Sequence, residues 1–182
     1  MTADWPEGEP VQVPWRVLAD YRCFGCSPHN DTGLRLTFRR TGDGISCRLT
    51  FDRAFESYPG VVHGGIVSTV CDEIMGNLLV LRTGLSVCTT TLRTRYVAPV
   101  LVGREYLCVA RTQVRAADPS PYRAQAEVLL RNGTTAVTAV GQYLPMTTQQ
   151  ARSRMDLTDT ESALVERELA RISNHRKGEP GA

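Results

Sequence analysis

The chain has 182 residues, enough for one domain with a real core, and its 42% hydrophobic and 22% charged residues are ordinary for a globular protein. Its 21 basic and 19 acidic residues leave a formal net charge of +2, which lacks the basic excess of a nucleic-acid binder. The acidic, proline-bearing start does not resemble a signal peptide, and no apolar stretch approaches the ~18 residues of a membrane span. The expectation is a cytoplasmic protein, bound to neither membrane nor nucleic acid, whose six cysteines are reduced thiols.

Residues 1–20 carry Pro6, Pro10 and Pro14 without clear periodicity and read as an arm or flexible lead-in. A turn-rich loop, "CFGCSPHNDTG", follows. Leu34, Leu36 and Phe38 then alternate with polar neighbours, as do Ile45, Cys47, Leu49 and Phe51 after the turn signal "TGDG". Two period-2 runs about a glycine turn predict a β-hairpin.

From Gly64 to about Arg82 the period changes. Ile66/Val67, Val70/Cys71, Ile74/Met75 and Leu78/Leu79 recur every four residues, predicting a largely buried helix closed by Gly84. Between these pairs runs a row of small or polar residues: Ser68, Thr69, Asp72, Glu73, Gly76 and Asn77. Four strands follow, in 86–97, 104–114, 122–131 and 134–144, with Asn132-Gly133 as a two-residue hairpin turn. Residues 158–174 predict a surface helix with a Thr158/Glu161 capping box and a narrow stripe of Leu164, Val165, Leu169 and Ile172. The tail from 174 to 182 reads as disordered.

A hairpin, one apolar helix and four consecutive strands make an α+β domain, the sheet curling round the helix. Little charge on any face of that helix argues that one sheet does not cover it, so a second subunit is expected to. The boundaries are 1–20 for the arm, 21–146 for the domain, and 147–182 for the C-terminal helix and tail.

Three segments carry a resemblance: "CFGC…N…GL", "P…VVHGGIVSTVCDE" and "TRYVAPV…G". Over residues 21 to 146 the chain resembles the hotdog-fold thioesterases of the phenylacetate-type, PaaI-like branch. The resemblance implies five or six antiparallel strands wrapped round one long helix, in dimers or dimers of dimers. It implies hydrolysis of acyl thioesters of coenzyme A or of an acyl-carrier protein, without a cofactor. His63, with Gly64 and Gly65, matches the oxyanion end of the motif, Asp72 the catalytic carboxylate, and Thr89 a helper hydroxyl.

The chemistry agrees with those positions. Thioester hydrolysis builds negative charge on the carbonyl oxygen, and a helix N-terminus offers unpaired N–H groups and a positive dipole end. Gly64 would let substrate approach that backbone closely, and His63 would add a side-chain donor. A carboxylate ionised near neutral pH attacks the carbonyl or activates a water. Glu73 is the rival to Asp72, but lies about 100° further round the helix, so the two cannot aim at one spot. Arg93 and Arg95 are candidates for pantetheine-linked phosphates, with a solvated sheet face as the plainer reading, and Tyr58 for the acyl pocket. Cys23-x-x-Cys26 with His29 hints at zinc, but a structural site takes four ligands and no second close pair exists; no metal is expected. Two other readings remain open: a hotdog hydratase or dehydratase, and a non-catalytic acyl-thioester binding protein. Gly64 and Asp72 are eight residues apart, or ~12 Å along a helix. One carbonyl cannot reach both in one chain, which predicts sites shared across a two-fold dimer.

Overall fold

A computed structural model describes residue 5, residues 7–115 and residues 117–177. Its centre is α1, Gly64–Thr83, capped by His63 at its start and by left-handed Gly84 at its end. The strands are β1 (Pro10–Val11), β2 (Phe38–Thr41), β3 (Gly44–Thr50), β4 (Ser86–Tyr96), β5 (Glu105–Arg111), β6 (Tyr122–Leu129) and β7 (Thr135–Met146). They form one antiparallel sheet in the order β1-β2-β3-β5-β6-β7-β4. Short α2 (Thr148–Arg152) and α3 (Asp159–Lys177) follow.

The sheet packs on α1 through alternate residues. Tyr122, Ala124, Ala126 and Val128 of β6 are buried and join Val67, Val70, Ile74 and Met75 of α1 in one core cluster. By length and composition α1 would pass as a membrane-crossing helix, contrary to the expectation that no stretch does. Here it is the core helix, with Val70, Cys71, Ile74, Met75 and Leu79 fully enclosed.

Three expectations change. The arm is not a free lead-in. Val13 joins the main core, β1 pairs with β2 as a seventh strand, and Trp5 packs on Leu107 and Val109 with the Arg131 guanidinium 5.5 Å over its ring. The first hairpin strand is shorter than its alternation suggested, because 34–36 folds onto the preceding loop: Leu34 N–H bonds Phe24 O and Leu36 N–H bonds Gly25 O. And much of the cover over α1 comes from its own chain. Cys23 and Cys26 lie beside Glu73, and Ser173 of α3 donates to Thr83 O at 3.5 Å.

Pro145, expected to stop the last strand, sits inside β7 opposite Val87. Pairing with β6 ends at Tyr143, so beyond it β7 bonds only β4 and a missing N–H on the other side costs nothing. The Thr158/Glu161 capping box forms in both directions, and α3 runs on to Lys177; the rest of the expected tail, 178–182, lies outside the described residues.

Candidate active site

The polar row of α1 resolves into two stripes, as four-residue spacing on a helix requires. Ser68, Asp72 and Gly76 face β4 and β7; Thr69, Glu73 and Asn77 run along the neighbouring line. On the first stripe Ser68 Oγ lies 2.7 Å from the Tyr96 hydroxyl and donates to Thr94 Oγ1 at 3.1 Å. One turn on, Asp72 Oδ1 accepts from Thr89 Oγ1 at 2.9 Å and from the Tyr143 hydroxyl at 3.0 Å. Asp72 Oδ2 has no hydrogen-bond partner among the described residues.

Each donor is placed by local structure. The β4–β7 register shifts between Thr89 and Thr91, a bulge of the kind that re-aims a side chain beside a functional site. Thr89 then points at α1. Tyr143 is 1% exposed, and its ring fills the room left by two glycines. A Cβ at Gly141 would meet Tyr143 Cε2 at 2.4 Å, and one at Gly76 would meet Cε1 at 3.7 Å. Burial, then the charge of Asp72, pushes the Tyr143 phenol up, so it stays protonated and donates.

At the start of α1, His63 Nδ1 accepts from Gly65 N–H at 3.0 Å. This cap commits the Gly65 amide and, with the ring neutral, puts its proton on Nε2. Gly64 N–H belongs to the first turn and has no partner within the helix. The Tyr96 hydroxyl donates to Gly64 O at 2.6 Å, and a Cβ on Gly64 would crowd that hydroxyl at 3.2 Å. The missing side chain at Gly64 thus makes room for Tyr96, where the sequence suggested room for substrate.

A model of the thioesterase superfamily matches residues 59–115, which hold His63, Asp72 and Thr89. None of the curated proteins matches the chain. Among solved structures, one similar chain is a thioesterase superfamily protein, at 16% identity and TM-score 0.58. The match covers 68% of this chain and 63% of that one, so this chain spans less than two thirds of its length. The PaaI protein of the phenylacetic acid degradation operon of E. coli is 12% identical, with TM-score 0.56 over 63% of this chain and 81% of the other. A Streptococcus mutans UA159 protein bound to acetyl CoA is 18% identical, with TM-score 0.56 over 71% and 95%. The chain has the hotdog fold. The likeness to PaaI-type thioesterases read from the sequence holds at the level of fold and family match.

Within this hotdog domain the other expected residues fall elsewhere. Leu92, Thr94 and Tyr96 alternate with Arg93 and Arg95, and Thr94 and Tyr96 bond α1, so the two arginines point away from Asp72. Tyr58 is 78% exposed in a turn before α1. Glu73 leaves the Asp72 stripe, as the 100° step requires. Its Oε1 accepts from Asn77 Nδ2 at 2.9 Å, and Cys23 Sγ lies 3.4 and 3.5 Å from its two oxygens. Burial pushes Glu73 up to about 7, and the hydrogen bond from Cys26 holds the Cys23 thiol down at about 5. Beside the Cys23–Cys26 pair the structure thus sets Glu73, which the sequence had joined to neither cysteine, and not His29.

Tyr143 is the partner of Asp72 that the sequence did not point to. Its signal was the glycine two residues earlier on the same strand face, a gap where an apolar side chain would be expected. Gly141→Ala should displace the ring, lower stability by about 1–3 kcal/mol in a urea titration and slow turnover.

Proposed function

We propose that the protein hydrolyses an acyl thioester of coenzyme A or of an acyl-carrier protein to the free acid and thiol. The observation that carries this is Asp72, held on one oxygen by Thr89 and Tyr143 with the other oxygen unbonded among the described residues. The superfamily match across His63 to Thr89 and the acetyl CoA in a fold relative support the substrate class.

In the reaction the thioester oxygen lies on Gly64 N–H, at the positive end of α1, with His63 Nε2–H as a second donor. The free oxygen of Asp72 either attacks the carbonyl carbon, expelling the thiolate and leaving an anhydride that water cleaves to the acid and Asp72 with the remaining proton passing to the thiolate, or takes a proton from the attacking water. By the second route the C–S bond breaks as the tetrahedral intermediate collapses, and the proton on Asp72 passes to the leaving thiolate. Thr89 and Tyr143 keep the carboxylate aimed and compensate its partial burial.

The two halves belong to different chains. Within one chain Gly64 and Asp72 stand ~12 Å apart along α1. β4 is an edge strand of eleven residues, with its last residue Tyr96 48% exposed and the following Val97 59%. A bare edge of that length is a template for strand pairing. A two-fold dimer through β4 places the start of one α1 against the middle of the other. The protein then works in a reducing compartment such as the cytoplasm, where its six free thiols persist.

Substrate class is tested by incubating the protein with phenylacetyl, short-chain and long-chain acyl-CoA and with the matching acyl-carrier-protein esters, and following thiol release. Turnover of at least one member is expected. Inertness towards every member would refute the assignment.

A further inference from the structure

On the stripe of α1 next to Asp72, three side chains that bind soft divalent cations converge. Cys23 and Cys26 stand at the two ends of a tight turn, and Glu73 reaches them from the helix. Two sulfurs and a carboxylate oxygen all lie within 4.8 Å of one another. Cys23 Sγ is 3.4 and 3.5 Å from the Glu73 oxygens. A tetrahedral zinc ion, with Zn–S near 2.3 Å and Zn–O near 2.1 Å, sets the S···O edge at about 3.6 Å. The Cys23–Glu73 edge matches that spacing, and the other edges lie within 4.8 Å.

Each candidate ligand also has an orienting partner, as metal ligands characteristically do. Gly25 N–H donates to Cys23 Sγ at 3.3 Å, the Tyr21 hydroxyl sits 3.1 Å from Cys26 Sγ, and Asn77 Nδ2 donates to Glu73 Oε1. Gly25 is the residue that admits the carboxylate: a Cβ there would stand 2.4 Å from Glu73 Cδ. Cys26 is 1% exposed and Asn77 5%, while Cys23 and Glu73 are half-buried, so the cluster lies at the edge of the core. A carboxylate enclosed by two thiols and an amide has poor compensation for its charge, which a divalent cation would supply.

We infer that Cys23, Cys26 and Glu73 bind one zinc-class divalent cation, with water in the fourth position, fastening the N-terminal loop to α1. In the complex both sulfurs are thiolate ligands, and any proton the cluster still holds is released on binding. The site stands apart from thioester hydrolysis and would exist in a non-catalytic protein as well.

The test is a titration of the intact protein, stripped with a chelator under a thiol-free reductant. Cobalt(II) should saturate at about one ion per chain, giving a thiolate-to-cobalt charge-transfer band and the intense visible bands of a tetrahedral site, both bleached by about one equivalent of zinc. Cys26→Ser and Glu73→Gln should each weaken zinc binding at least ~10-fold. Cys88→Ser, which removes an exposed thiol, and His29→Ala should leave it intact. Glu73→Gln keeps the side-chain shape and provides the reading if Cys26→Ser does not fold. Absence of the cobalt–thiolate bands in the reduced wild type would overturn the inference. So would metal affinity unchanged in Glu73→Gln, or a reduced Cys23–Cys26 pair that only oxidises to a disulfide and takes up no metal.

Discussion

Asp72→Asn should lower turnover of the best acyl thioester at least ~100-fold, with little change in KM. Asparagine keeps the shape, and its side-chain oxygen can still accept from Thr89 and Tyr143, so the fold is retained while the charge is lost. Alanine is the less clean change. It would remove the nearer acceptor of the buried Tyr143 hydroxyl and leave it only the Asp72 backbone oxygen at 3.3 Å, and so mix stability with catalysis. Glu73→Gln should cost far less turnover, because Glu73 faces the Cys23–Cys26 turn. Steady-state kinetics on the two proteins decide between the carboxylates. A larger loss in Glu73→Gln than in Asp72→Asn would contradict the assignment.

The second large effect is recovery by mixing. His63→Ala removes the Nε2 donor and the cap of α1, and Asp72→Asn removes the carboxylate; each protein alone should be nearly inactive. If a site takes His63 and Gly64 from one chain and Asp72 from its partner, a mixed dimer has one site with both changes and one with neither. Random pairing makes half the dimers mixed, so co-refolded protein should regain roughly a quarter of wild-type activity. Mixed dimers verified by mass, yet inactive, would rule out the shared site.

The core was legible because burial writes a period. Four-residue spacing marked α1, alternation marked the strands, and Thr158 and Glu161 marked the start of α3. The candidate site was legible where the His63–Asp72 spacing carried a family likeness, which also singled out Thr89, and Thr89 bonds Asp72. Other features depended on contacts distant in sequence. Tyr143 meets Asp72 across 71 positions, and Cys23 meets Glu73 across 50, so no local pattern announces either. Arg93 and Arg95 looked suitable by charge, but strand alternation sends them to the face opposite Thr94 and Tyr96. The arm misled because prolines suppress periodicity even where the chain is packed, as Val13 is.

The central claim is that the Asp72 site performs chemistry and does not merely hold an acyl thioester. The direct measurement pairs calorimetric binding with thiol release on one preparation, using the best-bound acyl-CoA. Wild type should release free coenzyme A with kcat/KM of at least ~10⁴ M⁻¹s⁻¹. Asp72→Asn should bind the intact ester about as tightly and release almost none. Tight binding by wild type with no thiol released would contradict that claim and leave a binding protein in its place.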